Sequence, residues 1–284
     1  SHHAYFYTRA ARHWKKPILL RCGYVHGEYL ETVKGYTCRT RLYQWLEMKA
    51  FRSAAHCQLP TVKLAEWVRK RYELPRGKIS VIPNFVDTDL FKPAGGIKLR
   101  KKTVVSVGRL SRVKRFHLLI EACAGIFGCE LTIVGEGVER AKLEQQAREL
   151  GLKLTLTGYI ENESLVRFLQ EHSVFAIVSE WEGHPKALIE AMSCGMPCVG
   201  VSANGINEVI CNGDNGLLVG LSLDSLREGI SSVFKDNKFR KKLSENARNS
   251  VIQKYSFKNC FSRELCLLES IIEKAPMNAM MDSE

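Results

Sequence analysis

The chain has 284 residues, of which 45% are hydrophobic, 25% charged and 9% aromatic. These are the proportions of an ordinary globular protein, and they exclude a disordered, collagenous or disulfide-scaffold chain. The length accommodates one large domain or two ordinary ones, and no apolar run approaches the roughly 18–20 residues that a bilayer crossing needs. The formal charge of +12 is concentrated in the first third, where residues 1–94 hold 17 Lys and Arg against 7 Asp and Glu, while the remainder holds 25 against 23. An anionic partner or surface is therefore expected to meet that third.

No charged-then-apolar leader opens the chain, which begins at Ser1. It reads as a sequence without a signal peptide, from which something upstream has been removed. The ten cysteines form no C-x2-C pair and find no His at finger spacing, and several sit in apolar runs such as LIEACAGI around Cys123 and GMPCVGV around Cys198. They predict small buried thiols in a reducing, cytoplasmic compartment and no structural metal.

In chain order, PILLRC (17–22) and KISVI (78–82) predict strands, and 39–53 and 61–72 predict helices. About two strands and three helices are too few for a doubly wound domain, so residues 1–94 read as the second half of another α/β domain. FKPAGGIKLR (91–100) is the expected linker. From residue 103 the pattern is regular: strands at 103–107, 130–134, 153–157, 174–179 and 197–201 alternate with helices at 116–125, 138–150, 163–171 and 185–193. Strands apolar on both faces, joined by crossover helices, predict a doubly wound parallel sheet over 95–255. Helices are expected at 223–234 and 238–255, with Ser256 capping another through about 274, and a frayed end at 276–284.

Ligands of such sheets bind at the carboxyl ends of the strands. VGRLSRVKRF (107–116) places Gly108 and Arg109 at one exit, with Lys114 where the next helix is expected to begin. Two cations beside a helix N-terminus suit a diphosphate, although basic surface is the alternative. VGEG (134–137) lacks the third glycine of a dinucleotide fingerprint and reads as a tight turn, which disfavours a nicotinamide dehydrogenase. In SEWEGHPKALIEAMSCGMPCVGV (179–201), Glu182 lies on a loop ahead of Pro185, expected at the first helical position. Glu190 sits among apolar helix neighbours, where a carboxylate is costly unless it has a partner; a ribose diol is one, a salt-bridged helix face another. Backbone N–H groups near Lys186 and Ala187 are expected to be open to phosphate. SANGINEVI (202–210) reads as a further glycine-containing turn.

These segments, with LTGYI (156–160), NGLLV (215–219) and VIPNFVDTDLFKP (81–93), resemble in order the signature of family 4 of the retaining glycosyltransferases, the "group 1" transferases, over about residues 78–255. The resemblance implies the GT-B architecture of two Rossmann-like domains, with the helix from Ser256 crossing back to the N-terminal domain. It implies that Arg109 and Lys114 neutralise the donor diphosphate, that Glu190 holds the ribose, and that Glu182, Gly183 and His184 contact the transferred sugar. Tyr159 and Ile160 then lie by the base. No metal or other cofactor is implied. The implied partners are a nucleoside-diphosphate sugar and a glycan or lipid-linked acceptor, as in cell-surface polysaccharide synthesis. The charge of the first third adds an anionic membrane at its cytoplasmic face as an expected partner. In PILLRCGYVHG (17–27), Cys22 and Gly23 stand where many members carry a His, His26 further along being either its substitute or a solvated loop histidine, and the family's first strand and Gly-rich loop precede residue 1. A non-catalytic nucleotide-sugar-binding module and a sugar-nucleotide epimerase remain alternatives. Nucleic-acid binding lacks an interleaved basic–aromatic run in the sequence.

Overall fold

The structure is a computed structural model that describes residues 2–34, 37–95 and 102–273, apart from the side chains of residues 2, 3, 12, 33 and 34. Two compact units comprise Ser1–Asn84 with Lys258–Glu284, and Phe85–Phe257.

The first unit runs α1 (His2–His13), β1 (Leu19–Arg21), α2 (His26–Tyr29) with a π-helical turn (Leu30–Lys34), α3 (Cys38–Ser53), β2 (His56–Leu59), α4 (Val62–Tyr72) and β3 (Ile79–Val81). Its three strands are parallel in the order β1-β2-β3. Thr37 and Thr61 cap α3 and α4 by accepting from the N–H groups of Thr40 and Leu64. Leu64, Ala65, Val68 and Tyr72 recur on one face of α4 and pack with Leu20, Phe51, Cys57 and Leu59. Sequence reading expected two strands here; there are three. The central one, HCQL, looks polar, but Gln58 is buried and donates to Glu264 (3.4 Å), while His56 bonds Ser80 (2.9 Å). The stretch from Lys258 belongs to this unit, where Arg21 pairs with Glu264 (3.1 Å) and Arg263 donates to the Val81 carbonyl.

The second unit runs β4 (Thr103–Val107), a 3-10 turn (Arg112–Lys114), α5 (Phe116–Ala124), β5 (Glu130–Val134), α6 (Arg140–Glu149), β6 (Lys153–Gly158), α7 (Asn162–Glu171), β7 (Val174–Ile177), α8 (Lys186–Ser193), β8 (Cys198–Val201), α9 (Ile206–Val209), β9 (Leu217–Val219), α10 (Leu223–Lys235) and α11 (Asn237–Lys254); α12 (Phe257–Glu273) follows. All five expected strands are present, β7 ending two residues early, and β9 is added at NGLLV. The parallel order β6-β5-β4-β7-β8-β9 reverses direction between β4 and β7, the point at which doubly wound sheets open a crevice. The ladder between these two strands stops at Val105↔Phe175. Ser106 then donates its hydroxyl to the Ala176 carbonyl (2.6 Å), which satisfies a group the ladder leaves over.

The expected boundary after residue 94 moves to 84/85, because Val86 and Phe91 are buried in the core of the second unit. Arg248 fixes this stretch by donating to the carbonyls of Thr88 (2.9 Å), Phe91 (2.8 Å) and Ser193 (2.9 Å). The boundary expected at 255/256 lies at 257/258, since Val86 exchanges backbone bonds with Tyr255 and Phe257 (2.9 and 3.0 Å). The second half of the expected linker (96–100) and the expected frayed end at 276–284 fall outside the described residues. All ten cysteines are free thiols, and burial pushes those of Cys57 and Cys194 up to about 12, so these two stay protonated and inert.

Candidate functional site at the strand exits of the second unit

β4 and β7 flank the reversal of strand order, and the loops that follow them carry Arg109 with Lys114 and Glu182 respectively. Lys114 Nζ donates to Glu182 Oε1 at 2.6 Å, with both side chains largely withdrawn from solvent. The helix expected from Phe116 is present, and Lys114 lies two residues ahead of it. The lysine ends the 3-10 turn, and α5 begins at Phe116, because Arg115 adopts a left-handed conformation (φ 51°, ψ 33°). A non-glycine residue there costs on the order of 1–2 kcal/mol. The offset is visible: Arg115 pairs with Glu180 (2.9 Å), and the Glu180 N–H donates to the Val113 carbonyl (2.9 Å). These two bonds tie the lysine turn to the β7 exit and hold Lys114 in reach of Glu182.

Pro185 is the N-cap of α8 rather than its first residue, with an extended backbone and no side-chain cap. The N–H groups of Lys186 and Ala187 take no partner among the described residues, so the positive end of the helix stays open. Glu190, on the same helix, is 5% exposed. Burial raises its carboxyl above the ordinary range, and Lys186 Nζ, at 3.6 Å from Oε1, opposes the shift. His184 is buried with its ring edge-on to Tyr255 (centroids 5.3 Å apart), and burial alone lowers its imidazole to about 4. It is therefore neutral at physiological pH.

Glycines press the neighbouring loops against these exits. A side chain at Gly135 (φ +146°) or Gly137 would sit about 2 Å from the carbonyl oxygen of Gly108 or Leu110. VGEG is thus a close approach between the β4 and β5 exits, in keeping with the tight-turn reading, and Leu110 N–H bonds the Glu136 carbonyl (2.8 Å) across it. Likewise Gly205 (φ +80°) abuts the Glu182 carbonyl, while the Glu182 N–H donates to Asn204 (3.1 Å). The SANG loop therefore backs the glutamate that holds Lys114.

The structure joins Lys114 to Glu182 and Lys186 to Glu190, but makes no direct bond between the two pairs. Arg109, behind Gly108, is exposed and forms no ion pair with any described residue. Gly183 lies between Glu182 and His184, half-buried. Tyr159 is 81% exposed and Ile160 packs against the core edge, so this exit presents a ring to solvent.

In the first unit, His26 Nδ1 bonds the Tyr24 hydroxyl (3.0 Å), and its ring stands edge-on to Tyr43 (4.7 Å). The backbone N–H groups of His26 and Gly27 donate to Glu47 (2.9 and 2.8 Å), a fully buried carboxylate that also accepts from Tyr72 (2.9 Å). Sequence reading did not single out Glu47. Its signal was there: Thr40, Gln44 and Glu47 occupy the buried face of α3 at helical spacing, where apolar residues belong.

Comparison with known proteins finds relatives of both units. The family model described as Glycosyl transferases group 1 matches residues 87–250, and that described as Glycosyltransferase Family 4 matches residues 1–90. An uncharacterized glycosyltransferase of Methanocaldococcus jannaschii is 31% identical over 223 residues, covering 72% of this chain and 57% of the relative. The UDP-Gal:alpha-D-GlcNAc-diphosphoundecaprenol alpha-1,3-galactosyltransferase of Escherichia coli is also 31% identical, over 257 residues, 82% of this chain and 64% of that protein. The chain thus spans somewhat over half the length of these curated relatives. Among solved structures, sucrose-phosphate synthase from Thermosynechococcus elongatus superposes with a TM-score of 0.82 at 21% identity, covering 90% of this chain and 68% of that one. Anabaena HepE in complex with UDP and glucose gives 0.82 at 20% identity, over 95% of this chain and 76% of that one. At such identities these two establish the fold, the GT-B type expected. With a family model over more than half its length, the chain belongs to the group 1 glycosyl transferases.

Proposed function

We propose that this protein is a retaining glycosyltransferase that moves a hexose-type sugar from a nucleoside diphosphate to a glycan or lipid-linked acceptor, in the assembly of a cell-surface polysaccharide. The observation that carries the reading is the Lys114–Glu182 pair at the reversal of the sheet. A lysine held at 2.6 Å from a carboxylate is a cation already oriented for an anion. On donor binding a phosphate oxygen replaces Glu182 on Lys114, and the released carboxylate accepts hydroxyls of the transferred sugar. Glu190 accepts the ribose diol, and the open N–H groups of Lys186 and Ala187 take diphosphate oxygens. As the glycosidic bond breaks through an oxocarbenium-like state, charge accumulates on the leaving diphosphate. Arg109 and Lys114 stabilise it most when it is fullest, which lowers the barrier rather than merely tightening binding.

The relatives add direction. The Escherichia coli protein is named for a UDP-Gal donor and a diphosphoundecaprenol-linked acceptor, and HepE was solved with UDP. No described helix is long and apolar enough to cross a membrane. The basic first third is the ground for reading the protein as peripherally bound at the cytoplasmic face, where anionic lipids attract clustered Lys and Arg. A thermal-shift panel of uridine, guanosine and adenosine diphosphates and their sugars tests the reading. The correct donor at 100 times its dissociation constant stabilises by about 2.7 kcal/mol. A panel without any shift would overturn it, and product analysis then separates transfer from epimerisation, which needs no acceptor.

A further inference from the structure

The first 53 residues hold ten Lys and Arg and only three acidic residues, Glu28, Glu31 and Glu47. None of the three faces solvent freely. Glu28 and Glu47 are buried, and Glu31 is half-buried, accepting from Gln44 (2.9 Å) with Arg71 at 3.7 Å. Of the described cations in this segment, Arg21 and Arg52 pair with Glu264 (3.1 Å) and Glu73 (2.6 Å), while Arg9, Arg39, Arg41 and Lys49 are exposed and form no ion pair with a described residue. The packing of α1 against α3 sets aromatic rings among them. Tyr5 lies between Phe6 (5.6 Å) and Trp45 (6.1 Å), and Leu42 stands one turn before Trp45 on the same helix. Phe6, Leu42 and Trp45 are 65%, 58% and 46% exposed. Arg9 lies over the Tyr5 ring and Lys49 over Trp45, at 6.0 and 5.7 Å. Residues 5–9 and 42–49 are far apart in sequence, which is why no basic–aromatic run was legible there.

We propose that this α1–α3 face docks the protein on an anionic lipid surface, the rings entering the headgroup boundary and Arg9 and Lys49 meeting lipid phosphates. The proposal rests on the lipid-linked acceptor in the reading above and names the face that would bring the protein to it. Charge decides the occupant. A second copy would set cation against cation, whereas an anionic leaflet attracts clustered Lys and Arg by about 1 kcal/mol each. Interfacial anchoring needs both signals, amphipathic rings and positive charge, and both occur on this one face.

The test is sedimentation of the full chain with phosphatidylglycerol-containing vesicles against pure phosphatidylcholine, over a salt series. Binding only to the anionic vesicles, weakening as salt rises, is expected. Arg9→Gln with Lys49→Gln should weaken it about fivefold per cation, and Phe6→Ala with Trp45→Ala on the order of tenfold. Lys142→Gln with Lys241→Gln, an equal loss of two charges on the exposed surface of the second unit, should leave it unchanged. All these positions are exposed, and circular dichroism checks that each variant folds. Absence of binding, or binding that these substitutions do not alter, overturns the proposal. So does a dimer that the ring substitutions dissolve in a chain that ignores vesicles, or equal binding to a DNA duplex lost with the same variants. The assay uses no donor, so its failure leaves the transferase reading standing, and that reading fails on the nucleotide panel alone.

Discussion

Replacing Lys114 by Ala should separate what the lysine does for the fold from what it does for the reaction. At 2.6 Å and an effective dielectric of about 20, the gross attraction between Lys114 and Glu182 is about 6 kcal/mol, most of it offset by desolvation. Removing the ammonium leaves Glu182, with a side chain 13% exposed, as a poorly solvated carboxylate. The expected cost to stability is about 1–3 kcal/mol, between the values for exposed and fully buried pairs. The expected cost to the barrier is about 2–4 kcal/mol, a fall in kcat of roughly thirtyfold to a thousandfold, as for the loss of an oxyanion donor. A second substitution distinguishes the two effects. Glu182→Gln in the Lys114→Ala background removes the stranded charge, so the urea midpoint should recover while turnover stays low. The assay is the initial rate of nucleoside diphosphate release from the donor chosen by the thermal-shift panel, alongside urea unfolding of all three proteins. Turnover of Lys114→Ala within a few-fold of the parent, or its restoration in the double variant, would refute the reasoning.

Two further expectations concern groups that burial has displaced from their ordinary titration. The carboxyl of Glu190 is raised, so the folded state holds its proton longer than the unfolded state does. Its contribution to stability therefore falls as pH rises from the ordinary carboxylate value of 4.5 through the raised one. Glu190→Gln should be more stable than the parent at neutral pH and bind nucleotide on the order of tenfold more weakly, as unfolding against pH and calorimetric titration will show; unchanged affinity would exclude the ribose role. His184 is lowered from 6.5 to about 4, so the unfolded state binds the extra proton between these values. Its contribution is full above pH 6.5 and is lost as pH falls toward 4, a total of roughly 3 kcal/mol. His184→Leu should flatten the stability profile over that interval, and an unaltered slope would show that another group titrates there.

The second unit was legible because its signal is redundant. Strands buried on both faces read as apolar runs, crossover helices carry their own period, and the order of strands then places the crevice. That order puts Arg109, Lys114 and Glu182 at strand exits, and it was the family resemblance that gave them roles. What stayed hidden depends on tertiary context. The HCQL strand is short and half polar, and Gln58 is tolerated inside because Glu264 accepts its amide. The helix start at Phe116 was expected, but the 3-10 turn at Lys114 and the left-handed backbone of Arg115 between them have no marker in a non-glycine residue. Pro185 suits either the cap or the first helical position, and only the observed backbone separates them. Glu47 was passed over because a single glutamate in a helix is ordinary until the buried positions around it are known.

The guanidinium of Arg248 has a practical consequence for dissecting the molecule. It binds Thr88, Phe91 and the last residue of α8 at once, so ten residues that look like spacer are a strap across the back of the helix bearing Glu190. Excision at residue 95 would strip away Phe91 and strand a positive charge beside vacated ground. A severed second unit that keeps its shape has to begin at Phe85.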